Sequence, residues 1–503
     1  MFLTSCDKHI HTYSEGVIVK EATCTEEGLK EYKCLECDYV KQESIPQIKH
    51  EYVNFICIVC NKETDFSENL EYTFDSQTNT YSVSDIGDCK DTNIIIPKEY
   101  NNFPVTRIEE YSFSFFDKFE SIFIPNTIIY IDEKAFSSCD GFSNIIVDEN
   151  NEYYKSLDGN LYSKDGKKLI RYAPGKKEEE FKTPDEVTDI SVRAFSYSNN
   201  LKRCYISSNV TNIDNQAFSD CKNLISIIVD KDNQTYLSLN NCLYSKDKKR
   251  FIKYPEGMGG NFVIEEGVEV IEDYAFEDSL KLTNVTIPNT VTTIGNYAFS
   301  NCNYIEKLEL PSSIISIGER AFEACSKTPV LIIPSSVEKI GKMAFRDCYF
   351  LEKVIFEKNS KLLNVPSKIF YFCENLEEVI FEENSNLISI DGGAFLYCKT
   401  LEKIKLPEGL ETIAEDAFSE CTSLQEIIIP SSVKTIESCT FMKCDNLKKV
   451  VFKENSQLKK IDSQAFLYCD NITFYCEFEE GNDYLSYELH KFEYPIVWGY
   501  VEK

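Results

Sequence analysis

Two sets of cysteines in this chain stand at spacings that could do chemistry. The first is near the N-terminus. Cys34-x-x-Cys37 and Cys57-x-x-Cys60 are two C-x-x-C pairs about twenty residues apart, with His50 between them. Paired thiolates at that spacing can face one tetrahedral ion, so the arrangement predicts a structural zinc. A module this short also buries little core, and a metal would supply folding energy that packing cannot. The second set is a row: a Phe followed three residues later by Cys, as in Phe299/Cys302, Phe322/Cys325, Phe345/Cys348 and Phe418/Cys421. That spacing could be a file of reactive thiols or a packing device.

The elements around the row decide between those readings. Thirteen units align on Phe113, Phe136, Phe195, Phe218, Phe276, Phe299, Phe322, Phe345, Phe370, Phe395, Phe418, Phe441 and Phe466. Most steps are 23 residues, three are 25, and two are long, 59 and 58. The unit from Cys302, "CNYIEKLELPSSIISIGERAF", alternates as a strand through "IEKLELP" and stops at Pro311. A second extended piece carries Ile314 and Ile317 before the Ala321-Phe322 corner. No stretch keeps an apolar 3.6-residue period for ten residues, which argues against long helices. One such unit cannot bury its own apolar face, so units must stack. The expected architecture is a right-handed, β-rich solenoid of about thirteen 23–25-residue units. Ten units carry the Cys and the others have Phe116, Ser198 and Ser279. A metal ligand does not tolerate Phe, whereas a packing position does. The row is therefore expected to be buried, reduced thiols with parallel side chains, lining the core.

The pattern C-x-x-[LI]-x-x-[IV]-x-[IL]-P-x-x-[IV]-x-x-I-x-x-x-A-F resembles the BspA-like leucine-rich repeats. "CTSLQEIIIPSSVKTIESCTF" (421–441) and "CKTLEKIKLPEGLETIAEDAF" (398–418) follow it nearly throughout. The resemblance covers residues 92–474 and implies a non-enzymatic surface-displayed or secreted bacterial protein, one that adheres to a protein or glycan partner on a host or neighbouring cell. Residues 67–91 are expected to be a linker and N-terminal cap, and 475–503, containing the single Trp498, a C-terminal cap. "PIVWGY" resembles the closing phrase of many proteins in the family. Residues 7–66 form the Cys/His module, zinc-ribbon-like in its spacing. Its phrase "ATCTEEGLKEYKCLEC" resembles a small repeat found ahead of cell-surface arrays in Gram-positive gut bacteria. That resemblance implies a second ligand set, His11, Cys34, Cys37 and His50. Disulfides remain the other filling of the module if the protein is exported.

The long steps hold two inserts, 147–175 and 229–257, whose residues match at an offset of 82, Tyr162 with Tyr244. Each reads as a β-hairpin, "LYSKD" returning as "LIRY" or "FIKY". Their Asp and Asn residues lack the spacing of a calcium loop. Tyr153, Tyr154 and Tyr236, read as exposed, are the binding candidates there.

Other classes are weakened or excluded. None of the four His lies in the thirteen repeats, so the array holds no Ser-His-Asp or Cys-His machinery. Glycine-rich phosphate loops are absent. Carboxylate pairs such as Glu382-Glu383 sit at turns, which leaves a glycan-active enzyme as the minor alternative; a cell-envelope spacer is the other. A net charge of -30 argues against nucleic acid. No apolar run is long enough for a transmembrane helix. Leu3-Thr4-Ser5-Cys6 has the form of a lipobox, so Cys6 is the expected site of a lipid anchor, with residues 1–6 the remnant of a lipoprotein signal.

Overall fold

The computed structural model describes residues 11–48, 66–116, 119–325, 327–481 and 484–501, with the backbone of two short strands, Tyr52–Val53 and Ile56–Cys57. Cys6, His50 and Cys60 lie outside the described residues, as does the side chain of Cys57.

At the N-terminus, strands Val17–Lys20, Gly28–Lys33 and Val40–Ile45 form a three-stranded antiparallel sheet. Between residues 11 and 48 only Cys24, Gly28 and Cys34 are buried. Among the described residues the sheet therefore has no apolar core of its own. The array begins behind an antiparallel pair, Glu71–Asp75 with Thr80–Asp85, and the second of these strands pairs in parallel with Phe103–Ile108. Leu70 and Val83 close that end of the core.

From there the chain winds as a solenoid, a turn of which is one unit. Each regular unit lends one strand to each of two parallel ladders. The longer strands alternate in and out: Val330–Ile333, Lys353–Phe356 and Glu378–Phe381 stack in register. The two-residue strands bury their isoleucine, as at Thr293–Ile294, Ser316–Ile317 and Lys339–Ile340. Their side chains meet the Phe column. Neighbouring rings stack face to face, 5.1 Å apart between Phe299 and Phe322 and 5.3 Å between Phe322 and Phe345. The only helix among the described residues is Tyr484–His490, which buries Leu485 and Leu489 against the last turn. Strand Ile496–Val497 then continues the ladder, and Trp498 packs on Phe478, closing the end.

Two features differ from the sequence expectation. The unit from Cys302 forms no first strand: Glu306 to Leu310 are irregular. The cause is the next unit, where Pro329 lacks an amide to continue the ladder. The Thr328 hydroxyl donates to the Glu306 carbonyl (3.5 Å) in its place and accepts the Leu308 N–H (2.7 Å). The inserts, moreover, are not single hairpins but three-stranded meanders, Tyr154–Leu157, Asn160–Ser163 and Lys168–Arg171, repeated as Tyr236–Leu239, Cys242–Ser245 and Arg250–Lys253. The extra turn sits at Asp158-Gly159 (φ +49° and +73°) and Asn240-Asn241 (φ +50° and +67°). Two consecutive left-handed residues make the tight hairpin turn that Asp, Asn and Gly tolerate best.

The inserts also partition the core. Buried apolar residues fall into three clusters, and the breaks fall at the inserts. Successive strand residues point to opposite faces. Leu161 joins the upstream cluster while Tyr162 joins the downstream one. Leu243 and Tyr244 divide in the same way.

Candidate functional sites

The Phe-x-x-Cys row is interior. Cys302, Cys325, Cys348, Cys373, Cys398, Cys421, Cys444 and Cys469 are free and buried. Their role is more specific than lining. Each of these thiols except Cys325 donates to the carbonyl of the Phe one unit upstream: Cys302 to Phe276 (3.0 Å), Cys348 to Phe322 (3.3 Å), Cys421 to Phe395 (3.2 Å), Cys469 to Phe441 (3.0 Å). Burial pushes the thiols of Cys302, Cys325, Cys373, Cys398, Cys421 and Cys444 well above their ordinary range. A thiol held protonated is a poor nucleophile and a poor metal ligand. At the units with Ser198 and Ser279 the shorter hydroxyl finds no hydrogen-bond partner among the described residues.

The tyrosines of the inserts divide. Tyr153 is half exposed, at 50%. The expectation of exposure fails for Tyr154, which is half-buried, and for Tyr236, which is buried. The reason lies in the ladder they interrupt. The parallel ladder through Tyr130–Ile131 stops there, and that through Asn212–Ile213 stops there too. Each last strand leaves an amide without a next strand to receive it. The Tyr154 hydroxyl accepts the Ile131 N–H (3.1 Å), and the Tyr236 hydroxyl accepts the Ile213 N–H (3.0 Å). Burial raises both phenols, which stay neutral.

Sequence reasoning missed the partners of these tyrosines. Asn151 and Asn233 are fully buried. The Asn151 amide donates to Pro125 and Ile128 carbonyls (both 2.9 Å) and accepts the amides of Tyr153 and Tyr154. Asn233 repeats this with Ser207, Val210, Thr235 and Tyr236. The signal was available as D-x-x-N-x-x-Y, shared by the two inserts: Asp148, Asn151 and Tyr154 against Asp230, Asn233 and Tyr236.

The inserts differ where they rejoin the array. Arg171 is buried and donates to the Arg193 and Phe136 carbonyls. Its counterpart Lys253 is buried beside Glu256, 3.8 Å away, and donates to the Tyr274 carbonyl. Glu256 occupies the place of Pro174, and burial raises its carboxyl to about 8. Burial likewise raises the neighbouring Glu277 to about 7.

In the N-terminal sheet, Cys34 and Cys37 lie in the loop between Lys33 and Val40. His11 Nδ1 lies 3.4 Å from Cys34 Sγ and 3.6 Å from Cys37 Sγ. All three donor atoms lie within 4.8 Å of one another. Among the described residues this is the one group of three or more His, Cys, Asp and Glu donors so placed. The structure thus brings together three residues of the second ligand set read from the sequence.

The outward positions of the long strands make up the remaining surface. Ile332, Ile355 and Ile380 are aligned by strand register, beside a row of Val330, Lys353 and Glu378. Ile332 is 47% exposed and Val330 39%. Lys353 and Glu378 form an ion pair at 2.7 Å.

Parallel strands, stacked Phe rings and a unit of 23–25 residues define a leucine-rich repeat solenoid. The family model for the BspA type leucine rich repeat region matches residues 66–160, 175–259, 260–365 and 363–491, and the chain belongs to that family. Among solved structures, a leucine-rich repeat protein from Bacteroides ovatus is similar at 22% identity, covering 86% of this chain and 98% of its own, with a TM-score of 0.47. One from Eubacterium ventriosum has 20% identity, 80% and 93% coverage, and a TM-score of 0.43. A leucine rich cell surface protein from Faecalibacterium prausnitzii has 23% identity, 63% and 94% coverage, and a TM-score of 0.39. No curated protein matches the chain. Among the described residues no helix is long and apolar enough to cross a membrane.

Proposed function

We propose that this chain is a non-enzymatic recognition protein of the bacterial cell surface or its surroundings, binding a protein or glycan through the outward face of its long strands. One observation carries the reading: the aligned, partly exposed row Ile332, Ile355 and Ile380 beside Val330, Lys353 and Glu378. A contiguous apolar row rimmed by charges on a rigid face is what a recognition surface needs. Membership of the BspA-type family supports it, as do array cysteines held protonated. Tyr153 is a second contact candidate, being the exposed tyrosine of its insert. Lipidation of Cys6 would tether the protein, and labelling with a fatty-acid analogue, lost in Cys6→Ala, tests that step.

The main test presents the full chain to panels of matrix proteins and glycans. Saturable binding is expected, weakened roughly tenfold or more by Ile332→Lys with Ile355→Lys, since central interface residues carry most of the energy. A chain that binds nothing, and whose deletion alters only envelope organisation, is a spacer instead.

A further inference from the structure

We infer that His11, Cys34 and Cys37 supply three of the four ligands of a structural zinc ion that folds the N-terminal sheet. The inference is independent of what the array recognises.

Four observations point the same way. The first is distance. With Zn–S near 2.3 Å and Zn–N near 2.0–2.1 Å, tetrahedral ligands place nitrogen and sulfur about 3.6 Å apart. The two separations here are 3.4 and 3.6 Å. The second is the treatment of sulfur. The Glu36 N–H points at Cys34 Sγ, 3.5 Å away. A backbone amide aimed at sulfur stabilises a thiolate, the form that binds metal. In the array the polarity is reversed, and thiols donate to carbonyls.

The third observation is how the ligands are fixed. The Cys34 amide donates to the Tyr39 carbonyl and the Leu35 amide to the Thr12 carbonyl, both at 2.9 Å. Tyr13 and Cys34 form a β-bridge, which ties the segment bearing His11 to the loop bearing the cysteines. The His11 ring stacks on Tyr39, centroids 4.7 Å apart. Ring and sulfurs are thereby aimed at one point. The fourth is the lack of another source of stability. All four residues of Val17–Lys20 are exposed, and so are five of the six in Val40–Ile45. A sheet without a core needs a staple, and metal binding by preplaced ligands is folding energy. Two sulfurs and an imidazole at tetrahedral distances suit zinc, whereas calcium and magnesium take oxygen ligands.

The test uses the full chain, purified without chelator. Elemental analysis should find roughly one zinc, lost in Cys34→Ser with Cys37→Ser and retained in Cys302→Ser. Replacement by cobalt should give thiolate-to-metal charge-transfer absorption, absent in the double variant. Amide exchange of residues 17–45 should accelerate on zinc removal while exchange in the array stays unchanged. Zinc retained in the double variant overturns the assignment. So does a chain in which Cys34 and Cys37 resist alkylation until reduced, since that marks a disulfide.

Discussion

Cysteine does opposite work in two regions of this chain. Near the N-terminus, Cys34 and Cys37 gather around His11, and a backbone amide points at the sulfur of Cys34. In the array, ten of the thirteen units carry a cysteine at the same corner, and sulfurs such as those of Cys348, Cys421 and Cys469 donate to backbone carbonyls. The difference follows from what surrounds them. Only Gly28 is buried among the strand residues of the N-terminal sheet, so its stability must come from a few directed bonds. The array is a continuous apolar stack, so a small thiol fits and burial keeps it protonated. Residue type alone fixes neither role.

The largest effect that would sharpen this contrast lies in the Phe column. Phe322 is fully buried between Phe299 and Phe345. Phe322→Ala should cost about 3–5 kcal/mol, through lost transfer energy and the cavity left behind. Because solenoid units couple mainly to their neighbours, the damage should be local. Amide exchange should rise in the units on either side, and residues 11–48 should not respond. Equal acceleration at both ends of the chain would show that the N-terminal sheet leans on the array after all.

A smaller effect separates the two kinds of sulfur directly. Cys421→Ala removes one thiol-to-carbonyl bond at Phe395 and should cost about 1 kcal/mol in chemical denaturation. In the native protein Cys421 should react with an alkylating reagent only as fast as the array opens. Rapid modification of Cys421 in native conditions would contradict the buried, protonated ladder.

Much of the array was legible because a repeated unit writes its core many times over. The period, the Phe column and the thiol positions all came from the spacing of Phe299, Phe322 and Phe345. What stayed hidden depends on contacts between units. Pro329 acts on the strand of the preceding unit, so "IEKLELP" looked like a strand and is not one. Tyr154 and Tyr236 looked like recognition residues because their hydroxyl partners, the amides of Ile131 and Ile213, lie 23 residues away in sequence. Of the proposed zinc ligands, Cys34 and Cys37 were legible from their spacing and His11 from the resemblance of its block to a known small repeat. Which of several pairings they adopt was not, because that choice rests on the bridge between Tyr13 and Cys34.

The most hidden feature is the corner after each Phe, and it yields the smallest effect. Two residues beyond every one of the thirteen Phe, the backbone is left-handed, as at Asn301 (φ +59°), Ala324 (φ +47°), Asp347 (φ +57°) and Lys443 (φ +54°). None of the thirteen is glycine, so the sequence gives no warning. In the eight units from Phe276 to Phe441 the conformation aims the amide at the next unit: Asn301 to the Glu323 carbonyl at 2.8 Å, Ala324 to that of Arg346 at 2.7 Å. The corner is thus a third ladder, maintained against local strain. A left-handed residue with a side chain costs about 1–2 kcal/mol, and glycine avoids most of that while losing about 0.5–1 kcal/mol of chain entropy. Ala324→Gly should therefore stabilise the array by up to about 1 kcal/mol. Ala321→Gly, three residues earlier and fully buried in the right-handed corner, should destabilise it. Denaturation of the two variants side by side checks the pair. If both destabilise equally, the left-handed column carries no strain.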